Sequence, residues 1–181
     1  MQAIVTGASR GLGLALTSAL VERGWRIVVD ARDGDALQRA VGGLDGVVAV
    51  AGDVADPDHR RRLVEAAGDS IDLLVNNASV LGPSPQPVLA DYPLEELRRV
   101  YEINVLAPLA LVQLVLPRLA DGARVLNITS DAAVEPYETW GGYGSSKAAL
   151  AQITAILGAE NPGALLRAGT NLGRIGAEEA G

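Results

Sequence analysis

Cysteine and phenylalanine are absent from this 181-residue chain, and histidine occurs once. Without thiols there can be no disulfide, thiolate nucleophile or zinc-thiolate site. A single histidine, His59 in "DPDHRRRL", leaves no second imidazole for a metal centre and does not suit a Ser-His relay. No metal is expected, and His59 reads as an ordinary surface residue. Positive charge is also scarce: 15 Lys and Arg stand against 22 Asp and Glu, a net charge of -7. That balance argues against nucleic acid or an anionic membrane as partner. Long apolar runs are missing too. "INVLAPLALVQLVLP" has 15 residues and contains Asn104, Pro108 and Gln113, whereas a spanning helix needs about 20. "MQAIVTGASRG" lacks the basic lead and the long apolar run of a signal peptide. The cytoplasm is therefore the expected location, and the sequons "NAS" (77–79) and "NIT" (127–129) read as accidental. A serine hydrolase finds no support. There is no G-x-S-x-G elbow, and residue 144, where an S-x-x-K serine would stand, is glycine.

What the chain does have is alternation. "AIVT" (3–6), "RIVVDA" (26–31), "GVVAVA" (46–51), "DLLV" (72–75) and "RVLNIT" (124–129) read as buried strands, apolar on both faces. Helical patterns lie between them at 11–23, 34–42, 58–67, 95–119 (interrupted by Pro108 and Pro117) and 141–158. Repeated βαβ units imply a parallel sheet with helices on both sides and right-handed crossovers. The expected fold is thus α/β, a doubly wound parallel sheet in three α/β/α layers. "GPSPQP" (82–87) reads as a rigid loop rather than a boundary, because the alternation resumes after it.

"VTGASRGLG" lies between the first strand and the first helix, with glycines at 7, 11 and 13. Glycine permits a tight turn and close approach of a ligand to the backbone. The helix start beyond it offers unpaired N–H groups and partial positive charge, which suits a pyrophosphate. This is the context a dinucleotide fingerprint needs. Nucleotide choice is then written at the end of the second strand. An acid there binds the ribose 2′-hydroxyl of NAD, and an arginine accommodates the 2′-phosphate of NADP. "VVDARD" offers Asp30, Ala31 and Arg32. If Ala31 faces the ribose, Arg32 sits beside it, and Arg10 can close on the same phosphate. NADP(H) is favoured. A register shifted by one residue would bring Asp30 to the ribose instead, so NAD(H) stays open.

Tyr143 and Lys147 stand four apart in "YGSSK", on one face of a helix. A free tyrosine titrates near 10. A neighbouring ammonium is expected to pull that value down, towards useful proton transfer. The pair also reads as a plain amphipathic face. Ser130 ends the strand "VLNITS", thirteen residues before Tyr143, at the rim where open parallel sheets bind ligands. Its hydroxyl can donate to an oxygen gaining negative charge. Asn76, Asn77 and Ala78 end the preceding strand at that rim and suit contact with ribose or nicotinamide. Asp53 in "GDV" can meet an adenine amine. Asn104, inside an apolar helix, needs a bonding partner.

In this order, "TGASRGLG", "NNA", "IN", "NITS" and "YGSSK" resemble the short-chain dehydrogenase/reductase family over about residues 2–160. The resemblance implies a Rossmann-like fold with strand order 3-2-1-4-5, an NAD(P)(H) cofactor, and hydride transfer to and from a small-molecule carbonyl or alcohol. By position it implies that Tyr143 is the general acid/base, that Ser130 steadies the substrate oxygen, and that Lys147 binds ribose and tunes the phenol. Asn104 would hold a water leading from the lysine to solvent. Thr6, Gly7, Ser9, Arg10, Gly11, Leu12 and Gly13 would line the pyrophosphate side, with Arg32 at the 2′-position, Asp53 and Val54 at adenine, and Asn77 and Ala78 near ribose. Ser79 stands where the family usually has glycine.

The pattern breaks after about residue 160. Residues 1–160 are expected to form the dinucleotide-binding and catalytic domain, and 161–181 a divergent tail. "GRIGAEE" (173–179) resembles a stretch that follows the family's substrate loop. The sixth and seventh strands are expected to be missing or reduced, with "ALLRA" at most a short sixth strand. The fifth strand then becomes an apolar edge, which predicts reduced stability or self-association, and a homo-oligomer, dimer or tetramer, is expected. A nucleotide-binding protein with little turnover is the alternative function.

Overall fold

The Val- and Ile-rich runs fold as strands and the longer patterned runs as helices throughout the described residues, 1–169 of a computed structural model. In chain order these are β1 (Gln2–Val5), α1 (Gly11–Val21), β2 (Arg26–Ala31), α2 (Gly34–Val41), β3 (Val47–Ala51), α3 (Pro57–Ala67), β4 (Ile71–Asn76), α4 (Leu94–Tyr101), α5 (Ala107–Val115), β5 (Leu119–Ile128), α6 (Gly141–Glu160) and β6 (Leu165–Gly169). Local chemistry sets several boundaries. Asp33 caps α2 by accepting from the Ala36 N–H at 2.9 Å. Asp56 caps α3 by accepting from the Asp58 N–H at 2.9 Å, with Pro57 opening the helix where no donor is needed.

All strand pairs are parallel, in the order β3-β2-β1-β4-β5-β6. Ile4 pairs with Val28 on one side and Leu74 on the other. Side chains alternate between two cores, as a strand's period of two requires. Ile4, Val28, Leu74 and Val125 face the layer of α3 and α5, meeting Leu63, Leu111 and Val115. Ala3, Val5, Ile27 and Val29 face α1 and α2, meeting Leu37 and Val41. The three-layer α/β/α architecture is the expected one.

Two expectations need correction. β5 is not an edge: β6 pairs with it over five residues, Arg124 with Leu165 through Ile128 with Gly169. "LLRAG" suffices as a strand because Leu166, 4% exposed, drops into the core shared with Leu63 and Leu111. The run 95–119 is interrupted as expected, but its first break precedes Pro108, which opens α5. A π-helical turn, Glu102–Leu106, separates α4 from α5, and a 3₁₀ turn, Leu116–Arg118, ends it. By length and composition Leu94–Arg118 could cross a membrane, but half of its most apolar window is buried inside this fold, as in a core helix. "GRIGAEE" lies outside the described residues.

Candidate active site

The glycine turn is tied down from both sides. Gly7 and Gly11 have φ of +68° and +58°, in the left-handed region that favours glycine. A Cβ on Gly13 would lie 2.4 Å from the Gly7 carbonyl oxygen, so the helix packs directly on the turn. Thr6, buried beneath it, accepts at its hydroxyl from the Asn77 and Ala78 N–H groups, each at 3.0 Å. Asn77 returns two bonds, Nδ2 donating to the carbonyls of Thr6 (2.9 Å) and Gly7 (3.1 Å). Arg10 stands at the N-cap of α1 and makes no side-chain cap. The first N–H groups of such a helix lack an intrahelical partner, an arrangement that suits an anion.

Above the turn lies a cavity of about 310 Å³. Gly7, Ser9, Arg10, Gly11 and Leu12 line one side of it, and Arg32, Asp53, Val54, Asn77 and Ala78 line others. All of these were sequence candidates. Thr6 and Gly13 support it from behind. Gly52, Ser79, Val80 and Ile103 also line it. Gly52 was recoverable from "GDV", which ends at the same rim. Val80 and Ile103 carried no signal beyond being apolar. Asp53 spends Oδ1 on the Ala55 N–H at 2.9 Å and has Arg99 3.9 Å from Oδ2.

His59 overturns its reading as a surface residue. It is fully buried, with Nε2 3.0 Å from Asp30 Oδ2. The first turn of α3 lays its ring against Gly52, where any side chain would collide with it. Asp30 is also turned inward, its Oδ1 accepting from the Gly7 N–H at 2.7 Å. Asn76 is likewise not a rim residue. Its side chain is buried, donating to Asn127 Oδ1 at 2.8 Å, and Asn127 donates in turn to Thr154 at 2.7 Å.

Beside the groove, α6 raises Tyr143 and Lys147 on one face, with Lys147 Nζ 5.5 Å from the phenol ring centre. Lys147 is 2% exposed and donates to the Ile128 carbonyl at 2.8 Å. Burial lowers its pKa to about 8. The expected downward pull on Tyr143 is not what this arrangement produces. Burial of the phenol raises its pKa above the usual tyrosine value; hydrogen bonds with Ser79 and Ser130 oppose that, and the Asp131 carboxylate adds to it. Lys147, whose Nζ is bonded to the Ile128 carbonyl, does not reverse the direction.

Ser130 does stand next to the phenol. Its hydroxyl donates to Asp131 Oδ1 at 2.8 Å, and Tyr137 donates to Asp131 Oδ2 at 3.0 Å. These donors hold the Asp131 carboxyl below the usual carboxylate range. Asn104 sits in the π-helical turn, fully buried, and does not bond locally. Its Oδ1 accepts from the Val80 N–H and its Nδ2 donates to the Val80 carbonyl, both at 2.9 Å. The same Nδ2 donates to Ser146 at 3.0 Å, and Ser146 donates to the Tyr143 carbonyl at 2.7 Å. Asn104 therefore fixes α6 and the segment after β4 relative to each other. Ser79, at the usual glycine position, belongs to both regions: it lines the groove and bonds with Tyr143.

Known proteins resemble this chain over most of its length. The sequence model of the family described as short chain dehydrogenase matches residues 1–164. A 1-deoxy-11-beta-hydroxypentalenate dehydrogenase from Streptomyces arenae is 38% identical over 173 residues, covering 90% of this chain and 61% of its own. The chain thus spans about three-fifths of the length of that curated relative. Among solved structures, Pseudomonas aeruginosa RhlG in an NADP active-site complex superposes with a TM-score of 0.81 at 32% identity, covering 92% of this chain and 70% of that one. A short chain dehydrogenase from Burkholderia cenocepacia J2315, in complex with NADP, gives 0.83 at 29% identity, with 92% and 71% covered.

Proposed function

The chain belongs to the short-chain dehydrogenase family, and from that premise we propose that it is an oxidoreductase. It moves hydride between a nicotinamide dinucleotide, NADP(H) in preference to NAD(H), and a small carbonyl or secondary alcohol. The observation that carries this reading is the meeting of Tyr143, Lys147 and Ser130 at the carboxyl end of β5, next to a groove built on the glycine turn.

The groove fits a dinucleotide. It opens on the N-terminus of α1, where the N-cap residue Arg10 makes no side-chain cap, and Arg10 and Arg32 border it. Solved relatives carrying NADP support the same choice. Thr6, Gly7, Ser9, Arg10, Gly11, Leu12 and Gly13 hold the pyrophosphate side, Asp53 and Val54 the adenine, and Asn77 and Ala78 a ribose. When bound, the dinucleotide supplies or accepts the hydride.

Every proton step belongs to the chain. Tyr143 gives a proton from its phenol oxygen in carbonyl reduction and takes it back in alcohol oxidation. Because burial raises its pKa, the phenol is in its acid form at neutral pH, which suits reduction. Ser130 turns its hydroxyl from Asp131 to the substrate oxygen and steadies developing charge there. Lys147 stands against the same ring as a buried cation and contacts ribose hydroxyls. Asn104 positions α6, and with it the phenol. The enzyme acts in the cytoplasm as a homo-oligomer, an assembly that sedimentation equilibrium reads directly.

Loss of NADPH absorbance with a panel of ketones, aldehydes and quinones tests the activity. Tyr143→Phe lowers kcat by about 10²–10⁴-fold, while dinucleotide affinity by calorimetry stays near that of the parent. Turnover that survives the substitution removes Tyr143 from its role. Tight dinucleotide binding with no turnover on any substrate would instead assign a nucleotide-binding role.

A further inference from the structure

Asp30 and His59 come from different elements, β2 and α3, yet both side chains are sealed inside the fold, at 1% and 0% exposure. Each oxygen of the carboxylate has one partner: Oδ1 takes the Gly7 N–H at 2.7 Å, and Oδ2 faces His59 Nε2 at 3.0 Å. An ionised carboxylate has no proton to give, so Nε2 is the donor. Nδ1 is buried and has no hydrogen-bond partner among the described residues. The ring fits because residue 52 is glycine; a Cβ there would lie 2.2 Å from Nδ1.

Asp30, Ala31 and Arg32 all border the groove. An acid at this end of the second strand is the group that binds a ribose 2′-hydroxyl. Here the acid is present but turned inward. A carboxylate stays in such a place only while its oxygens are paired. With Oδ2 unpaired, the accessible water lies in the groove, and the side chain gains solvation by turning there.

We propose that His59 sets the dinucleotide choice: its Nε2–H holds the Asp30 carboxylate beneath the glycine turn, so that the groove meets the 2′-position with Ala31 and the Arg32 guanidinium. A 2′-phosphate is then favoured over a 2′-hydroxyl. His59 touches no ligand in this scheme and is a positioning residue. The proposal rests on reading the groove as a dinucleotide site.

Calorimetric titration with NADPH and with NADH, without substrate, measures the preference independently of turnover. His59→Gln places an amide N–H near the position of Nε2, whereas His59→Asn reaches only the position of Nδ1. The glutamine variant keeps the parental NADPH/NADH ratio. The asparagine variant loses about tenfold or more of it, as expected for releasing one charge-assisted hydrogen bond. NADPH weakens because the freed carboxylate opposes the 2′-phosphate, and NADH tightens. Asp30→Asn keeps the parental preference, because the carboxylate does not face the nucleotide. Circular dichroism confirms that each variant is folded. A folded His59→Asn with the parental ratio overturns this inference and leaves the oxidoreductase reading standing. So does an Asp30→Asn variant that loses about tenfold in NADH affinity relative to NADPH, since the acid would then already touch the ribose; this variant decides the matter if His59→Asn does not fold. A parent chain that binds neither dinucleotide overturns both.

Discussion

β2 and β5 are both rich in valine and isoleucine or leucine, yet the fold treats them differently. β2 is buried along five of its six residues, with α1 and α2 over one face and α3 over the other. β5 buries Ala123, Val125 and Asn127 but leaves Arg124 exposed and Leu126 and Ile128 only partly covered. β2, which places Asp30 beneath the glycine turn, is thus packed through. β5 is packed mainly on one face among the described residues. The loops above follow suit. The glycine turn is bonded by Thr6, Asp30 and Asn77, whereas 131–140 leaves Val134 81% exposed and Tyr137 and Trp140 partly open. The side of the groove at the glycine turn is braced by internal bonds, and the side at Tyr143 stands beside an open loop.

The largest test of that contrast is Gly13→Ala. The added carbon meets the Gly7 carbonyl oxygen at 2.4 Å and Asn77 Nδ2 at 2.6 Å, and a turn held from both sides has nowhere to go. Stability should fall by about 3 kcal/mol, at the top of the usual range for overpacking, and dinucleotide affinity with it. Urea unfolding and calorimetry measure the two. A neutral outcome would mean that the turn is loose and the contrast false.

Lys147→Met probes the other side at its anchor. The folded-state pKa of about 8 lies below the ordinary 10.5. Below pH 8 the folded protein carries the full penalty of a buried ammonium. Between about 8 and 10.5 the folded state releases its proton before the unfolded state does, so stability rises with pH across that window. The methionine variant removes the penalty and loses the bond to Ile128, a net gain of about 2 kcal/mol at pH 7. That gain should shrink as the pH approaches 10.5. Paired thermal melts at several pH values read the difference. A gain independent of pH would show that the ammonium is not buried in solution.

The smallest effect belongs to the open loop. Thr139 has φ of +67°, in the left-handed region where a side chain is strained. Thr139→Gly should stabilise the chain by about 1 kcal/mol, with dinucleotide affinity unchanged. Destabilisation would mean that the threonine makes compensating contacts and that the loop is better packed than it looks.

The contrast also explains what could be read from the amino acids alone. Glycines 7, 11 and 13 are legible because the backbone angles and close approaches they permit are properties of the residue itself. Tyr143 and Lys147 are legible because helical spacing fixes their common face. His59 is not, since its burial depends on a carboxylate 29 residues away and on the missing side chain of Gly52. β5 read as apolar on both faces because its composition cannot report whether a helix covers each of them. β6 was legible only as a short strand in "ALLRA", because five residues show little periodicity and its place depends on Leu166 reaching a core formed by earlier elements. The phenol's pKa direction was missed because the ammonium was weighed and the burial was not.

The amide chain from Asn76 through Asn127 to Thr154 acts as a gauge of alignment. Asn76 and Asn127 are direct neighbours across β4 and β5, and sliding either strand by one residue would turn its amide to the opposite side of the sheet. Each would then lack its match in a surrounding of interchangeable aliphatic groups. A sheet interior of valine, leucine and isoleucine tolerates several offsets about equally well; three polar side chains in a row accept one.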